Sequence, residues 1–220
     1  MAFSTARAHP NIALVKYWGK ADDELIIPVA GSMSMTLDKF ATTTRVELTG
    51  SAGNDQFELN GTVADTKATG RTTAFLDLVR SLAADAGLDT ATARANVTSV
   101  NEGPTAAGMA SSASGFAALA TAAADAYGLA LNTKDLSRLA RRGSGSASRS
   151  LIDRFAIWHA GTSDETSYAE GIEAPEMAMV SVTVNAKRKR FHRATGWSPR
   201  VRPARTTRPG LTLPKPRWMR

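Results

Sequence analysis

NEGPTAAGMASSASGFAALA, residues Asn101–Ala120, begins as a turn and ends as a helix. Gly103, Pro104 and Gly108 interrupt any regular element, whereas Gly115–Tyr127 (GFAALATAAADAY) is rich in the residue with the highest helix propensity. Ala95–Val100 precedes the loop with a strand pattern, so strand, small-residue loop and helix follow in order. At such a junction the first helical N–H groups lack backbone partners and the macrodipole favours negative charge. The glycines let a phosphate approach the backbone closely, and Ser111, Ser112 and Ser114 supply hydroxyls as donors or caps. No Gly-Lys-Ser/Thr closes the loop, so it is not a Walker A sequence. The plain alternative is a capped, alanine-rich core helix.

Two further stretches suit an anion. RRGSGSASRS (Arg141–Ser150) combines four serines, two glycines and Arg149, whose guanidinium offers a bidentate contact; a polar loop is the alternative. KYWGK (Lys16–Lys20) sets two lysines around an aromatic pair and a glycine, directly after a strand. Alone it reads equally as a solvated strand end with a core Trp. Three such stretches in one short chain point to a ligand carrying several phosphates.

The elements around them predict an α+β domain. Asn11–Val15 is a short apolar run, and Ser32–Leu37 and Thr43–Leu48 alternate with period two. Phe57–Leu59 before Asn60-Gly61 reads as a hairpin arm, since Asn-Gly supplies the positive φ of a type I′ turn. Thr72–Ala86 places Phe75, Leu76, Val79 and Leu82 on one helical face, ending near Gly87. Leu136–Arg141 reads as a short helix, the FAIWHAG run from Phe155 as a strand, and Met177–Val184 as a last strand.

With 220 residues, 43% of them hydrophobic, the chain can build a substantial core. Its net charge of +7 would suggest an anionic partner. The charge is concentrated, however: Lys187–Arg220 holds 12 of the 27 basic residues and no acid, leaving 15 basic against 20 acidic residues before it. The absence of cysteine excludes disulfides, thiolate metal sites and a Cys nucleophile. His9, His159 and His192 stand singly, which argues against a His metal cluster. Without an apolar h-region or an 18-residue apolar run, a soluble cytoplasmic protein with no membrane partner is expected.

AHPNIALVKYWGK, GSMSMTLD, PTAAGMASSASGFAAL and SRLARRGSGSASRS together resemble, in order, the diphosphomevalonate decarboxylases of the GHMP kinase superfamily. The resemblance covers about residues 5–186. It implies that superfamily's N-terminal domain, with a fold like domain 2 of ribosomal protein S5. It also implies an ATP- and Mg²⁺-dependent decarboxylation of 5-diphosphomevalonate, in proteins that are often homodimers. Tyr17, Trp18, Gly19 and Lys20 would then contact the mevalonate substrate, with Arg71 beside them. Ser144, Gly145, Ser146, Ala147, Ser148 and Arg149 would hold its diphosphate, and Pro104, Gly108, Ala110, Ser111 and Ser112 the ATP phosphates. No residue of this chain is expected to act as the catalytic carboxylate, which the family draws from a D-A-G-P-N-like segment of its second domain; no metal ligand is expected either. A kinase of a mevalonate derivative is the alternative within the superfamily.

Two places depart from the family. Ile152-Asp153-Arg154 replace an aromatic residue and two glycines, so positive φ there would strain Asp153 and Arg154, and a carboxylate beside a diphosphate would repel it. After VSVTVNA the family continues with Ser-Ser-Arg-Asp-Gly-Met, whereas here KRKRFHRATGW follows. Back-translated and read from the third base of each codon, this tail admits A-K-A-V-S-S-R-D-G-M. Arg202–Pro209 admits T-S-P-Y-Y-P-A. The expectation is a frameshift near Ala186, a domain over 1–186, a second domain lacking, and a disordered basic tail over 187–220. The alternative is a tail that binds nucleic acid by counterion release, with Phe191, Trp197 and Trp218 stacking on bases.

Overall fold

A computed structural model describes residues 2–103 and 111–180. The chain forms β1 (Phe3–Ala8), β2 (Asn11–Val15), β3 (Lys20–Asp22), β4 (Ile27–Pro28), β5 (Ser32–Thr36), β6 (Thr42–Leu48), β7 (Gln56–Leu59) and β8 (Thr62–Val63). There follow α1 (Thr66–Asp85), β9 (Ala95–Asn101), α2 (Ser111–Tyr127), α3 (Thr133–Gly143), β10 (Phe155–Trp158) and β11 (Ala169–Gly171). The fold is α+β, as expected from strands that precede a mixture of helices and strands.

One sheet has five strands in the order β1-β6-β9-β7-β8, antiparallel except for the parallel β7–β9 pair. That single parallel pair is the one joined through a helix, α1, because a parallel connection must cross back over the sheet. Along β6, Thr42, Thr44, Val46 and Leu48 are buried in strict alternation. Val46 and Leu48 meet Val97 of β9, Phe75, Leu76 and Val79 of α1, and the alanines of α2 in one core. Each large apolar side chain so buried contributes about 1.5–3 kcal/mol. Helix α2 is buried nearly all round, which its small side chains permit. A second sheet, β11-β10-β5-β2, carries the site described below, and β3–β4 form a separate hairpin.

The Asn60-Gly61 turn joins β7 to β8, with φ of 52° and 74° at the two residues, as its type I′ reading requires. Several boundaries differ from expectation. Helix α1 starts at Thr66 rather than Thr72 because the Asp65 carboxylate caps it, accepting from the Ala68 N–H at 2.7 Å. On this helix Ala83 takes the buried position expected of Leu82, which is 39% exposed. Asn132 caps α3 in the same way and extends it beyond Leu136–Arg141. Strand β10 ends at Trp158, short of the expected FAIWHAG run. Met177–Val180 form no strand, since no described strand pairs with them to satisfy their backbone groups. The rest of the expected Met177–Val184 strand, and the tail 187–220, lie outside the described residues.

Candidate functional site

The site is built on the end of α3 and the turn that follows it. Gly145–Arg149 form a single 3-10 turn, closed by the Ala147 N–H to the Ser144 carbonyl at 2.8 Å. Two close approaches demand glycine here. A Cβ at Gly143 would lie 2.1 Å from Cδ1 of Phe116, and one at Gly145 would lie 2.9 Å from Cη2 of Trp158 and 3.2 Å from Oη of Tyr17. Any side chain would push apart the elements that meet at this point.

The turn aims Arg149 inward, where it is 1% exposed. Its Nε donates to Ser34 Oγ at 2.9 Å and its Nη2 to Asn11 Oδ1 at 3.3 Å, while Nη1 donates to Ser32 Oγ. All three partners are neutral, and among the described residues no carboxylate pairs with this guanidinium. Burial depresses its pKa to about 10, and Tyr17 acts in the opposite direction. A charge removed from water without a counter-charge is costly, so the arrangement is complementary to an anion. Asn11 steadies the same turn, donating from Nδ2 to the Ser146 carbonyl and Ser150 Oγ, both at 2.8 Å. Ser148 is committed internally, its hydroxyl donating to the Gly145 carbonyl at 2.8 Å.

Tyr17 reaches this turn from the end of β2. Its ring meets Trp158 edge to face at 4.9 Å between centroids, so KYWGK and GSGSASR share one wall. Gly19, with φ of 73°, turns the chain into β3. Lys20 pairs with Asp23 at 3.0 Å, and Trp18 is 70% exposed. The expected substrate residues are thus adjacent in space for Tyr17 and Gly145–Arg149, with Lys20 on the neighbouring hairpin and Trp18 in solvent.

Arg71 on α1 approaches from the other side. It donates to the Gly143 carbonyl at 3.4 Å and lies over the Phe116 ring at 5.1 Å. It also lines a cavity of about 210 Å³ together with Thr72, Ser99, Ser111, Ser112 and Phe116. The two serines expected at the ATP phosphates therefore open, with Arg71, onto one cavity. Ser114 does not take the donor role considered for it: it is buried and hydrogen bonds Thr42 Oγ1 at 2.7 Å, fastening α2 to β6. Pro104, Gly108 and Ala110 lie outside the described residues.

Of the residues replacing the family glycines, only Arg154 adopts positive φ, at 62°. Asp153 is exposed and outside that region. Sequence reading passed over Asn11, Ser32, Ser34 and Trp158 as site residues. A signal existed in GSMSMTL: Ser32 and Ser34 share the inward face of β5, and polar residues at core positions need a polar partner. The partner's identity lay 115 residues away along the chain. Among the described residues no group of three His, Asp or Glu side chains is placed to hold a metal ion, and no helix is long and apolar enough to cross a membrane.

Residues 8–169 match the diphosphomevalonate decarboxylase-like N-terminal domain family. The chain is similar to the diphosphomevalonate decarboxylase of Aspergillus fumigatus, 41% identical over 201 residues that cover 84% of this chain and 50% of that relative. The human diphosphomevalonate decarboxylase is 38% identical over 205 residues, 86% of this chain and 50% of its own length. Among solved structures, the mevalonate diphosphate decarboxylase of Enterococcus faecalis superposes with a TM-score of 0.73 at 53% identity, over 78% of this chain and 52% of that one. A structure of MDDEF in complex with MVAPP, AMPPCP and magnesium is 54% identical with a TM-score of 0.73, over 79% and 51%. The chain spans about half the length of the curated relatives it matches.

Proposed function

This chain belongs to the diphosphomevalonate decarboxylase family through its N-terminal domain, and on that premise we propose that its site binds 5-diphosphomevalonate beside ATP. The reaction is the ATP-dependent decarboxylation of that substrate to isopentenyl diphosphate. The observation that carries this reading is Arg149, a fully buried guanidinium whose only partners among the described residues are neutral. A diphosphate group supplies the missing charge, and Ser144–Ser148 offer small-residue backbone around it. Tyr17 and Lys20 face the mevalonate portion, with Arg71 between the two ligands.

In the reaction, phosphorylation turns the substrate's tertiary hydroxyl into a leaving group, which departs as phosphate while the carboxylate is lost as carbon dioxide. Ser111 and Ser112 fit the nucleotide phosphates by their position at the start of α2. With no carboxylate cluster among the described residues, Mg²⁺ would be held chiefly by the nucleotide's own phosphate oxygens and water. A cytoplasmic, homodimeric enzyme belongs to the same reading. So does a frameshift near Ala186, supported by the acid-free tail that follows; DNA sequencing across residues 183–190 tests it, and an unbroken frame rejects it.

Calorimetry of the 220-residue chain with 5-diphosphomevalonate and with inorganic diphosphate tests the site. Charge-assisted hydrogen bonds contribute about 1.5–3 kcal/mol each, so Arg149→Gln is expected to weaken binding at least tenfold. Equal affinity in the variant rejects the assignment. Alanine at both Ser111 and Ser112 is expected to abolish any ATP-induced rise in melting temperature. In the frame-restored protein, phosphorylation without carbon dioxide release would move the activity to a mevalonate-derivative kinase.

A further inference from the structure

Besides Arg149, the described residues bury Arg80 and Arg141, and of these Arg141 lies beside the proposed site without a part in the substrate reading. Arg141, in the last turn of α3, is 0% exposed and ranks with Trp158 and Arg149 among the largest fully buried side chains. Unlike Arg149 it has a carboxylate partner, Asp164. That ion pair occupies only one end of its fork. Nε donates to the Leu25 carbonyl at 3.0 Å, and Nη1 donates to the Ser167 carbonyl.

Each of these acceptors leads to the site. Leu25 lies in the turn between β3 and β4, the hairpin that bears Lys20. Its N–H donates to Asp22 Oδ1 at 2.7 Å, so Leu25 is held at both its N–H and its carbonyl. The next residue, Ile26, is held at φ of 56°, a conformation a β-branched residue rarely adopts. Its Cγ2 stands 3.3 Å from the position a Gly145 Cβ would take, against the Gly145–Arg149 turn. Ser167, for its part, accepts the Trp158 indole N–H on its hydroxyl at 3.1 Å. Trp158 in turn backs both Tyr17 and Arg149.

We propose that Arg141 is a positioning residue: it holds the Lys20 hairpin and the Trp158 wall in register with the Gly145–Arg149 turn, so that one diphosphate ester is gripped from both. A guanidinium is needed because its fixed fork reaches three acceptors in different directions, which a single ammonium does not. Strain at Ile26 persists only while the surroundings over-determine it, and the Leu25 contact is the part of those surroundings that comes from α3.

The inference rests on the proposed substrate site, and its test separates the two. Arg138 supplies the control. It pairs with the same Asp164, its Nε at 3.1 Å from Oδ2, but donates nothing to Leu25 or Ser167. In the 220-residue chain, R141M is expected to speed hydrogen exchange across residues 20–28 at least tenfold relative to the five-stranded sheet, and R138M to leave it within threefold. Inorganic diphosphate affinity is expected to follow the same order, at least tenfold weaker in R141M. Unchanged exchange in R141M, or an equal rise in R138M, overturns the proposal whether or not diphosphate binds. Failure of the unmodified chain to bind diphosphate, with exchange behaving as expected, rejects the substrate site and leaves the hairpin clamp standing. If R141M unfolds globally, R141K is read by the same measurement, and hairpin exchange equal to the unmodified chain's overturns the proposal.

Discussion

Arg154 sits with φ of 62° immediately before β10, its carbonyl accepting the Thr36 N–H at 2.7 Å. That hydrogen bond holds β5 to the β10 entrance, so the backbone must turn here whatever residue is present. A left-handed conformation costs a non-glycine residue about 1–2 kcal/mol. Glycine removes that cost but adds about 0.5–1 kcal/mol of unfolded-state entropy. Arg154→Gly is therefore expected to stabilise the chain by about 0.5–1 kcal/mol, raising the melting temperature by about 2–4 °C per kcal/mol. A melting temperature at or below that of the unmodified chain refutes the strain. Asp153 illustrates the limit of the same sequence argument: two glycines in relatives suggested two strained positions, and only one is.

Helix α3 is held through its C-terminal half by Asp164, which pairs with both Arg138 and Arg141. Burial by itself would raise the Asp164 pKa, but the hydrogen bond from Arg138 and the nearby arginine charges outweigh it and hold the carboxyl below its ordinary value. A carboxylate depressed in the folded state adds stability above its unfolded pKa of about 3.9, and that stability is lost as pH falls through the lower folded value. The loss should therefore lie below about pH 4. Asp164→Asn is expected to lower the denaturant midpoint at neutral pH and to lose less further stability than the unmodified chain between about pH 5 and pH 2.5. Parallel acid limbs in the two proteins would show that Asp164 contributes no such dependence.

The described residues carry an α+β core and leave several apolar side chains exposed at strand ends and in loops. Val15 is 52% exposed, Val29 64% and Val180 86%. The acids nearest the Tyr17–Lys20 segment have other duties: Asp23 pairs with Lys20, and Asp22 accepts the Leu25 N–H. If the remaining half of the relatives supplies the reacting carboxylate, ligand binding and turnover separate. Loss of one well-placed acid or base costs about 10²–10⁴ in rate. In an ATP-dependent assay the 220-residue chain is thus expected to release carbon dioxide at least a hundredfold more slowly than a version with the proposed frameshift reversed. Turnover within tenfold would place a sufficient catalytic group inside these residues.

The sequence by itself determined the α+β class, the Asn60-Gly61 hairpin and the alanine-rich helix α2. Each follows from local chemistry: turn residues that tolerate positive φ, alternation matched to a pleat, helix propensity over a long run. It also marked Arg149, Tyr17, Ser111 and Ser112 as anion-suited. Tertiary structure alone decided which of the arginines lacks a counter-charge. Arg141 and Arg149 lie in the same ten-residue stretch, both fully buried, and nothing local distinguishes them. One meets Asp164 and the Leu25 carbonyl; the other meets Asn11, Ser32 and Ser34. Those partners come from residues more than twenty to more than a hundred positions away, brought together by strand pairing and core packing. A charge's cost and its function depend on what surrounds it after folding, and that surrounding is a property of the fold.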